Sequence, residues 1–268
     1  MSTESKGTAL VTGASSGIGK VYAERLAARG YDLLLVARRL DRLDALAKTL
    51  QETTGRKVET LKADLTQRAD VAAVEKRLAD DPTITLLVNN AGISLNGSIL
   101  ENDSQAIEQL IAINITAPTL LTATAAKAFI ARDKGGIINI ASVLAYAPEM
   151  MDGIYSGSKA HLVNVTQGLA SKLTGTKVRV QAVLPGATRS EIWENSGKDV
   201  DAMLPGMVME TADLVDAALL GFDRGEVITI PPLHDESQFQ ALEAARAAMA
   251  PNLSRKAVAP RYAVGTAA

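Results

Sequence analysis

The sequence predicts an α/β fold in which helices cover both faces of a doubly wound parallel sheet. One observation is that short apolar runs recur along the chain, separated by longer stretches with helical periodicity. Another is composition: 47% of the 268 residues are hydrophobic but only 3% are aromatic, so the core must be built from Ala, Val, Leu and Ile. Repeated βαβ units place the C-terminal ends of the strands along one edge, where we expect ligands to bind.

Apolar runs give the predicted strands, in chain order residues 8–11, 33–36, 58–61, 86–88, 137–140, 178–184 and 227–230. Helical periodicity predicts helices at residues 17–29, 40–51, 104–131, 156–173 and 237–249. Gly30 follows the first helix, where a glycine with a left-handed backbone is expected to end it. Because α/β folds of this length commonly share one core, we expect a single domain over residues 1–268.

Two stretches break the alternation. Residues 186–210 contain Pro, Gly, Trp and Met with little periodicity, and they are long for a structureless connection, which favours a substrate-binding loop or lid. Residues 251–268 form a C-terminal tail containing Pro and Ala, which either packs on a neighbouring subunit or frays.

Composition and charge argue against several classes of protein. A formal net charge of -2 gives no reason to expect a nucleic-acid partner, and the lack of cysteine excludes disulfides and thiolate metal sites. Neither His161 nor His234 has a carboxylate or cysteine partner at metal-ligand spacing, so we expect no metal. The start is polar and no apolar run reaches roughly 18 residues, so we expect a cytoplasmic protein without membrane contact.

A glycine-rich turn, Thr-Gly-Ala-Ser-Ser-Gly-Ile-Gly over residues 12–19, follows the first predicted strand and opens the first predicted helix. Glycine-rich loops alone are more often simple turns, but this strand-turn-helix context favours a nucleotide site. Backbone N–H groups and the positive end of the helix then face a phosphate. We therefore expect a Rossmann fold that binds a dinucleotide.

Three side chains suited to proton transfer are expected at the same sheet edge. Ser142 lies at the end of an apolar strand, and Tyr155 and Lys159 are one helical turn apart. A phenol has a pKa of about 10, and a nearby ammonium favours the phenolate, so we expect Lys159 to lower the pKa of Tyr155. Such a pair alone is usually a solvated helix face. The glycine turn and Ser142 favour proton transfer beside a nicotinamide coenzyme.

Together with Asn89-Asn90-Ala91-Gly92, these motifs resemble the short-chain dehydrogenase/reductase (SDR) family, from Gly7 to about Ile230. The resemblance implies an oxidoreductase that transfers a hydride between a nicotinamide and a carbonyl or secondary alcohol. It implies Tyr155 as the general acid/base and Ser142 as a hydrogen-bond partner of the substrate oxygen. Lys159 would also bond the nicotinamide ribose, and Asn114 would hold a proton-relaying water. A surface amide is the alternative for Asn114.

The resemblance also implies which residues hold the coenzyme. Asp64 and Leu65 would flank the adenine, Asn90-Ala91-Gly92 would run beside the adenosine ribose, and the segment after the sixth strand would contact the nicotinamide carboxamide. The expected coenzyme-binding residues are Gly13, Ser15, Ser16, Gly17, Ile18, Gly19, Arg38, Arg39, Asp64, Leu65, Asn90, Ala91, Gly92, Tyr155, Lys159, Pro185, Gly186, Thr188 and Ser190.

The end of the second strand favours NADP(H) over NAD(H). An acidic residue there would accept a hydrogen bond from the ribose 2′-OH, but the chain has Arg38 and Arg39, which suit a 2′-phosphate. Asp32 is at the opposite end of the strand and Asp41 lies inside the next helix. A solvated surface pair is the alternative for the arginines, and NADP-preferring relatives often carry a basic residue where Ser16 stands.

Residues expected at the substrate pocket are mostly apolar, which favours an apolar ketone or alcohol. They are Ser94, Leu95, Leu144, Tyr146, Met150, Met151, Ile192, Trp193, Met203 and Met207. The methionines suit a core equally well, and Arg189 and Lys198 leave an acidic substrate open. Helices 104–131 and 156–173 have few charges, so we expect them to pair subunits in a homotetramer or homodimer.

Two other classes of function are weighed against the enzyme. A nucleotide-sensing binding protein without turnover would have no chemical need for Asn114, Ser142, Tyr155 and Lys159 together. A methyltransferase on a similar sheet is poorly matched by Arg38 and Arg39, since its S-adenosyl ribose carries no phosphate. The physiological substrate, the direction of reaction and the stereochemistry do not follow from the sequence.

Overall fold

The computed structural model describes residues 5–97, 99–150, 153–189 and 200–262. The chain divides into two compact units, Met1–Pro232 and Leu233–Ala268. The expectation of one domain over residues 1–268 stays a prediction. Several residues with predicted roles lie outside the described part of the chain; they are Met151, Ser190, Ile192, Trp193, Lys198 and the last six residues of the tail.

The first unit is built on a parallel sheet of seven strands in the order β3-β2-β1-β4-β5-β6-β7. The strands are β1 Thr8–Thr12, β2 Asp32–Ala37, β3 Val58–Lys62, β4 Ile84–Asn89, β5 Gly135–Ile140, β6 Val178–Val183 and β7 Ile228–Thr229. Every predicted strand is present. The strand order reverses between β1 and β4, and a crevice opens at such a switch point beyond the carboxyl ends of the strands.

Helices connect the strands. They are α1 Gly17–Ala28, α2 Leu40–Thr54, α3 Arg68–Asp80, α4 Ser104–Ile111, α5 Ala117–Ala131, α6 Gly153–Lys172, the short α7 Val200–Met203 and α8 Thr211–Arg224. Gly30 has a φ of +94° and its N–H bonds the carbonyl of Ala27, so it ends α1 as predicted.

Side chains alternate between the two faces of each strand, which gives the sheet two apolar layers. In β1, Ala9 and Val11 pack with α1, α2 and α8, while Leu10 packs with α3 and α5 on the other face. Both faces are therefore covered, and the predicted doubly wound α/β fold is confirmed.

The predicted helix at residues 104–131 is continuous but irregular. A π-helical turn, Ala112–Thr116, separates α4 from α5. By length and composition Ser104–Ala131 could also cross a membrane, with a mean hydropathy of 1.2 over its most apolar window, in contrast to the sequence expectation. Half of that window is buried inside the structure. Its apolar side chains, such as Leu121 and Phe129, fill the core, which accounts for its composition.

The second unit contains one helix among its described residues, α9 Glu236–Met249. It begins where the carboxylate of Asp235 accepts the N–H of Ser237 at 3.0 Å. Single turns of 3-10 helix follow at Ala250–Asn252 and Pro260–Tyr262.

Candidate active site

The glycine turn after β1 has the close backbone packing that glycine requires. Gly13 and Gly17 have φ values of +66° and +51°. A Cβ on Gly13 would lie 2.8 Å from the Asn90 amide nitrogen, and one on Gly19 would overlap the carbonyl of Gly13. The Thr12 hydroxyl accepts the N–H of Asn90 at 3.0 Å, which ties the turn to the end of β4. The turn is therefore packed closely against the residues that follow β4.

A cleft of about 400 Å³ runs over the carboxyl ends of β1, β2, β3 and β4. The predicted coenzyme residues that line it are Gly13, Ser15, Ser16, Gly17, Ile18, Arg38, Arg39, Leu65, Asn90, Ala91 and Gly92. Residues that the sequence reasoning missed are Val36, Ala37, Ala63, Ile93, Asn96 and Ile113. Val36 and Ala37 are the last two residues of β2 and Ala63 directly follows β3, and this position at strand ends was the signal that could have identified them.

The two arginines after β2 differ in their contacts. Arg38 is exposed, whereas Arg39 is half-buried and its guanidinium lies 3.2 Å from the Ser16 hydroxyl and 3.4 Å from the Ser15 hydroxyl. The cation and both hydroxyls thus converge on the start of α1. Arg39 therefore places a positive charge beside Ser16, an uncharged residue.

Other predicted coenzyme residues lie outside this cleft. The Asp64 carboxylate accepts the N–H of Thr66 at 3.0 Å and so shapes the loop after β3. The carbonyl of Pro185 accepts the N–H of Val143 at 3.0 Å, which brings the end of β6 beside the segment after Ser142. Thr188 is buried and its hydroxyl bonds the carbonyl of Gly186 at 3.1 Å.

Ser142, Tyr155 and Lys159 meet beyond the carboxyl end of β5. The Ser142 and Tyr155 side chains are hydrogen-bonded to each other. The Lys159 amine lies 5.5 Å from the centre of the Tyr155 ring and donates to the carbonyl of Ile140, the last residue of β5, at 2.9 Å. Because α6 begins at Gly153, Tyr155 and Lys159 project from its first turns toward Ser142. The predicted triad is therefore brought together.

Burial sets the protonation of this cluster. It raises the pKa of Tyr155 to about 12, and the hydrogen bond with Ser142 only partly offsets that rise. Burial also lowers the pKa of Lys159 to about 8. The expectation that the pKa of Tyr155 is lowered is wrong, because the loss of hydration on burial dominates its shift. The phenol therefore holds its proton at neutral pH.

Asn114 is 1% exposed and lies in the π-helical turn, so a surface amide is excluded. Its side chain pairs with the backbone of Ile93, donating to the carbonyl at 2.8 Å and accepting the N–H at 2.9 Å. A Cβ on Gly92 would lie 3.0 Å from the Asn114 amide oxygen and 3.5 Å from the Lys159 amine. Gly92 also lines the cleft, so the cleft adjoins Asn114 and Lys159 there.

Apolar side chains are exposed in the connections that follow β4, β5 and β6. They are Ile99, Leu100, Tyr146, Met150, Met203 and Met207, between 39% and 92% exposed. Leu95, by contrast, is buried. Arg189 forms an ion pair with Glu210 at 2.8 Å, which compensates the charge that an acidic substrate would need.

Among the described residues no group of three or more His, Asp or Glu side chains is arranged to hold a metal ion. The His161 ring instead contacts the Thr119 hydroxyl at 2.8 Å, between α6 and α5.

The family described as short chain dehydrogenase matches residues 7–201. An uncharacterized oxidoreductase of Staphylococcus saprophyticus is 41% identical over 180 residues, which cover 66% of this chain and 76% of that protein. The 17-beta-hydroxysteroid dehydrogenase type 3 of Homo sapiens is 36% identical over 181 residues, 67% of this chain but only 58% of the human protein.

Two solved structures are similar over almost the whole chain. A short-chain dehydrogenase from Sphingobium yanoikuyae in complex with NADPH is 50% identical with a TM-score of 0.92, covering 96% of this chain and 100% of that one. The bulky-bulky ketone specific alcohol dehydrogenase from Comamonas testosteroni is 43% identical with a TM-score of 0.89, covering 97% of this chain and 100% of its own.

Proposed function

Because this chain belongs to the short-chain dehydrogenase family, and is thus an oxidoreductase acting on CH–OH or C=O groups, we propose that it interconverts a bulky ketone and its secondary alcohol with NADP(H). The observation that carries the proposal is the meeting of Tyr155 with Ser142 and Lys159 beside the glycine-turn cleft. Tyr155 acts as the general acid in reduction and as the general base in oxidation.

The residues of the cleft fit a dinucleotide. The turn after β1 lines the cleft where α1 begins, so its backbone N–H groups can meet a pyrophosphate. Ala63 and Leu65 offer an apolar surface for the adenine, and Ala91 and Gly92 border the path toward Lys159. When bound, the nicotinamide supplies the hydride for reduction or accepts it in oxidation.

The protein's own task in reduction is to fix the carbonyl oxygen and protonate it. The Ser142 hydroxyl and the Tyr155 phenol are within hydrogen-bonding distance of each other, so both can hold one substrate oxygen. Tyr155 then gives up its proton, and the Lys159 ammonium favours the phenolate that remains. Asn114 is anchored on Ile93 and lies beside Gly92 as Lys159 does, so it can hold a water that returns a proton to Lys159.

Arg39 supports NADP(H) over NAD(H). Its guanidinium is already held beside the hydroxyls of Ser15 and Ser16, so a 2′-phosphate there would gain charge-assisted hydrogen bonds with little reordering. The similar protein from Sphingobium yanoikuyae, which is in complex with NADPH, supports the same choice.

The exposed apolar side chains after β4, β5 and β6 support a bulky, apolar substrate. Leu100, Met150 and Met207 are each more than half exposed, and large apolar groups on a substrate would cover them. The similar alcohol dehydrogenase from Comamonas testosteroni, which is specific for bulky-bulky ketones, supports the same substrate class.

The remaining expectations are part of the proposal. Thr188 and Ser190 contact the nicotinamide carboxamide, Pro185 and Gly186 belong to the same part of the coenzyme site, and Asp64 lies at the adenine end. Residues 186–210 act as the substrate loop. The protein is cytoplasmic, and helices 104–131 and 156–173 pair subunits in a homotetramer or homodimer.

A panel of ketones assayed with NADPH and with NADH tests this proposal. We expect ketones with two bulky apolar substituents to consume NADPH, and small or acidic ketones to react poorly. Equal kcat/KM with NADH and NADPH would contradict the coenzyme choice. No consumption of either coenzyme with any ketone, together with no alcohol oxidation, would contradict the function.

A further inference from the structure

We propose that Ser158 is a positioning residue of the proton-transfer site, because it links the side chain of Asn114 to the main chain of Tyr155. The inference rests on the proposed function and adds a residue to the four side chains expected from the sequence. Ser158 stands next to Lys159 in α6 and is 1% exposed. A buried hydroxyl needs partners, and the two that it has are both parts of the site.

The Ser158 hydroxyl donates to the carbonyl of Tyr155 at 2.6 Å, and it lies 3.1 Å from the Asn114 amide nitrogen. A hydroxyl has only one proton to donate. With that proton on the Tyr155 carbonyl, Ser158 must accept a hydrogen bond from Asn114. The chain of bonds therefore has one direction, from Asn114 through Ser158 to Tyr155.

This direction fixes the orientation of the Asn114 amide. One amide proton goes to the carbonyl of Ile93 and the other to Ser158, while the amide oxygen accepts the N–H of Ile93. Both donors are used, so a flipped amide would lose all three bonds. Removal of the Ser158 hydroxyl would leave a buried amide proton without its acceptor and free the side chain to turn.

A change in the orientation of Asn114 would reach the reacting groups through Lys159. The Asn114 amide oxygen and the Lys159 amine both lie beside Gly92, since a Cβ built there would be 3.0 Å from the oxygen and 3.5 Å from the amine. Ser158 also joins the π-helical turn to α6, so its loss would loosen the link between these two elements. Proton transfer depends on such geometry. Ser158 itself is buried and does not line the cleft, so a direct contact with a ketone or coenzyme is not expected.

Ser158→Ala tests the inference, with Ser156→Ala as the matched control. Ser156 lies in the same helix, is also 1% exposed, and bonds the carbonyl of Gly153, three residues earlier, at 3.3 Å. With NADPH and the best ketone of the panel, we expect Ser158→Ala to lower kcat by about 10- to 100-fold with KM values unchanged. Ser156→Ala should keep a kcat close to that of the unmodified enzyme. Ser158→Cys, which keeps the size and a weak donor, replaces Ser158→Ala if the latter does not fold.

A second measurement does not depend on turnover. The side-chain amide signal of Asn114 is identified in a ¹⁵N NMR spectrum by its loss in Asn114→Ala. We expect it to be protected from exchange in the unmodified protein and in Ser156→Ala, and to shift and exchange faster in Ser158→Ala. An unchanged Asn114 signal in Ser158→Ala overturns the inference, as does a kcat equal to that of Ser156→Ala. Inactivity of the unmodified enzyme refutes the proposed function instead. The amide signal of Asn114 alone then shows whether Ser158 holds that amide in place.

Discussion

Lys159 is the residue whose charge most directly couples the site to pH. Burial lowers its pKa to about 8, so it is an ammonium below that pH and a neutral amine above it. Only the ammonium favours the phenolate that Tyr155 becomes on donating its proton. We expect kcat/KM for ketone reduction to be flat below pH 8 and to fall above it, with an apparent pKa of about 8.

The control for this profile is Lys159→Arg, since a guanidinium stays charged throughout the range. Its activity should be lower because the side chain is larger, but the break near pH 8 should disappear. A profile of the unmodified enzyme that stays flat to pH 10 would contradict the role of Lys159.

We expect substitutions of the neighbouring residues Arg39 and Arg38 to have unequal effects on the KM for NADPH. Loss of a charge-assisted hydrogen bond to a phosphate weakens binding by about 10- to 100-fold, so Arg39→Ala should raise the KM for NADPH by that factor. Its KM for NADH should hardly change. Arg38→Ala, at an exposed position, should have a smaller effect. Equal increases for NADPH and NADH in Arg39→Ala would show that the guanidinium does not meet a 2′-phosphate.

Single residues also show where sequence reasoning stops. The pattern at Ser142, Tyr155 and Lys159 was sufficient to predict that they meet, because strand ends and helix turns fix their positions. The direction of the Tyr155 pKa shift was predicted wrongly, because the sequence does not state how deeply a phenol is buried. Ser158 was missed for a similar reason, since a serine in a helix carries no signal until its partners are known.

At the scale of elements, a buried polar chain holds α5 and α6 on the sheet. The Asn139 amide in β5 accepts from Asn89 at 2.9 Å and donates to the Thr166 hydroxyl of α6 at 3.0 Å, and Thr122 of α5 lies 3.2 Å from it. All four side chains are buried. These hydrogen bonds position α6, which carries Tyr155 and Lys159, and α5, which directly follows the π-helical turn that contains Asn114.

Thr166→Val tests the stabilising effect of this chain. Valine keeps the shape of threonine but leaves an amide proton of Asn139 without an acceptor, so the free energy of unfolding should fall by about 1–3 kcal/mol. The control is Thr53→Val in α2, where an exposed hydroxyl bonds the carbonyl four residues earlier at 2.8 Å. Urea denaturation monitored by circular dichroism compares the two. A loss no larger than that of Thr53→Val would indicate that water or another group replaces the bond.

Regular elements were predictable and irregular ones were not. β5 and β6 were recognised because a buried parallel strand is a continuous apolar run. The π-helical turn Ala112–Thr116 has the same kind of apolar residues as the helices on either side, so periodicity could not separate it. Helix α3 was not singled out, since its charged face makes the apolar period weak.

At the scale of the whole molecule, the expected association of subunits can be tested. Ile111 and Ile130 lie on the long helical stretch that is expected to pair subunits, and they are 40% and 43% exposed. We expect light scattering to give a mass near four times 28.1 kDa. The double variant with Ile111→Glu and Ile130→Glu should have a lower mass in solution. Leu220→Glu on α8, at a position 47% exposed, is the matched control and should leave the mass unchanged. A stable monomer of the unmodified protein at micromolar concentration would refute the assembly.

The central claim is that Tyr155 protonates the substrate oxygen, and Tyr155→Phe tests it most directly. Loss of a general acid typically lowers a rate by about 100- to 10,000-fold, so NADPH consumption with the best ketone should fall by at least about 100-fold. Tyr31→Phe, at the opposite edge of the sheet just before β2, should keep the unmodified rate. An undiminished rate in Tyr155→Phe would contradict the account.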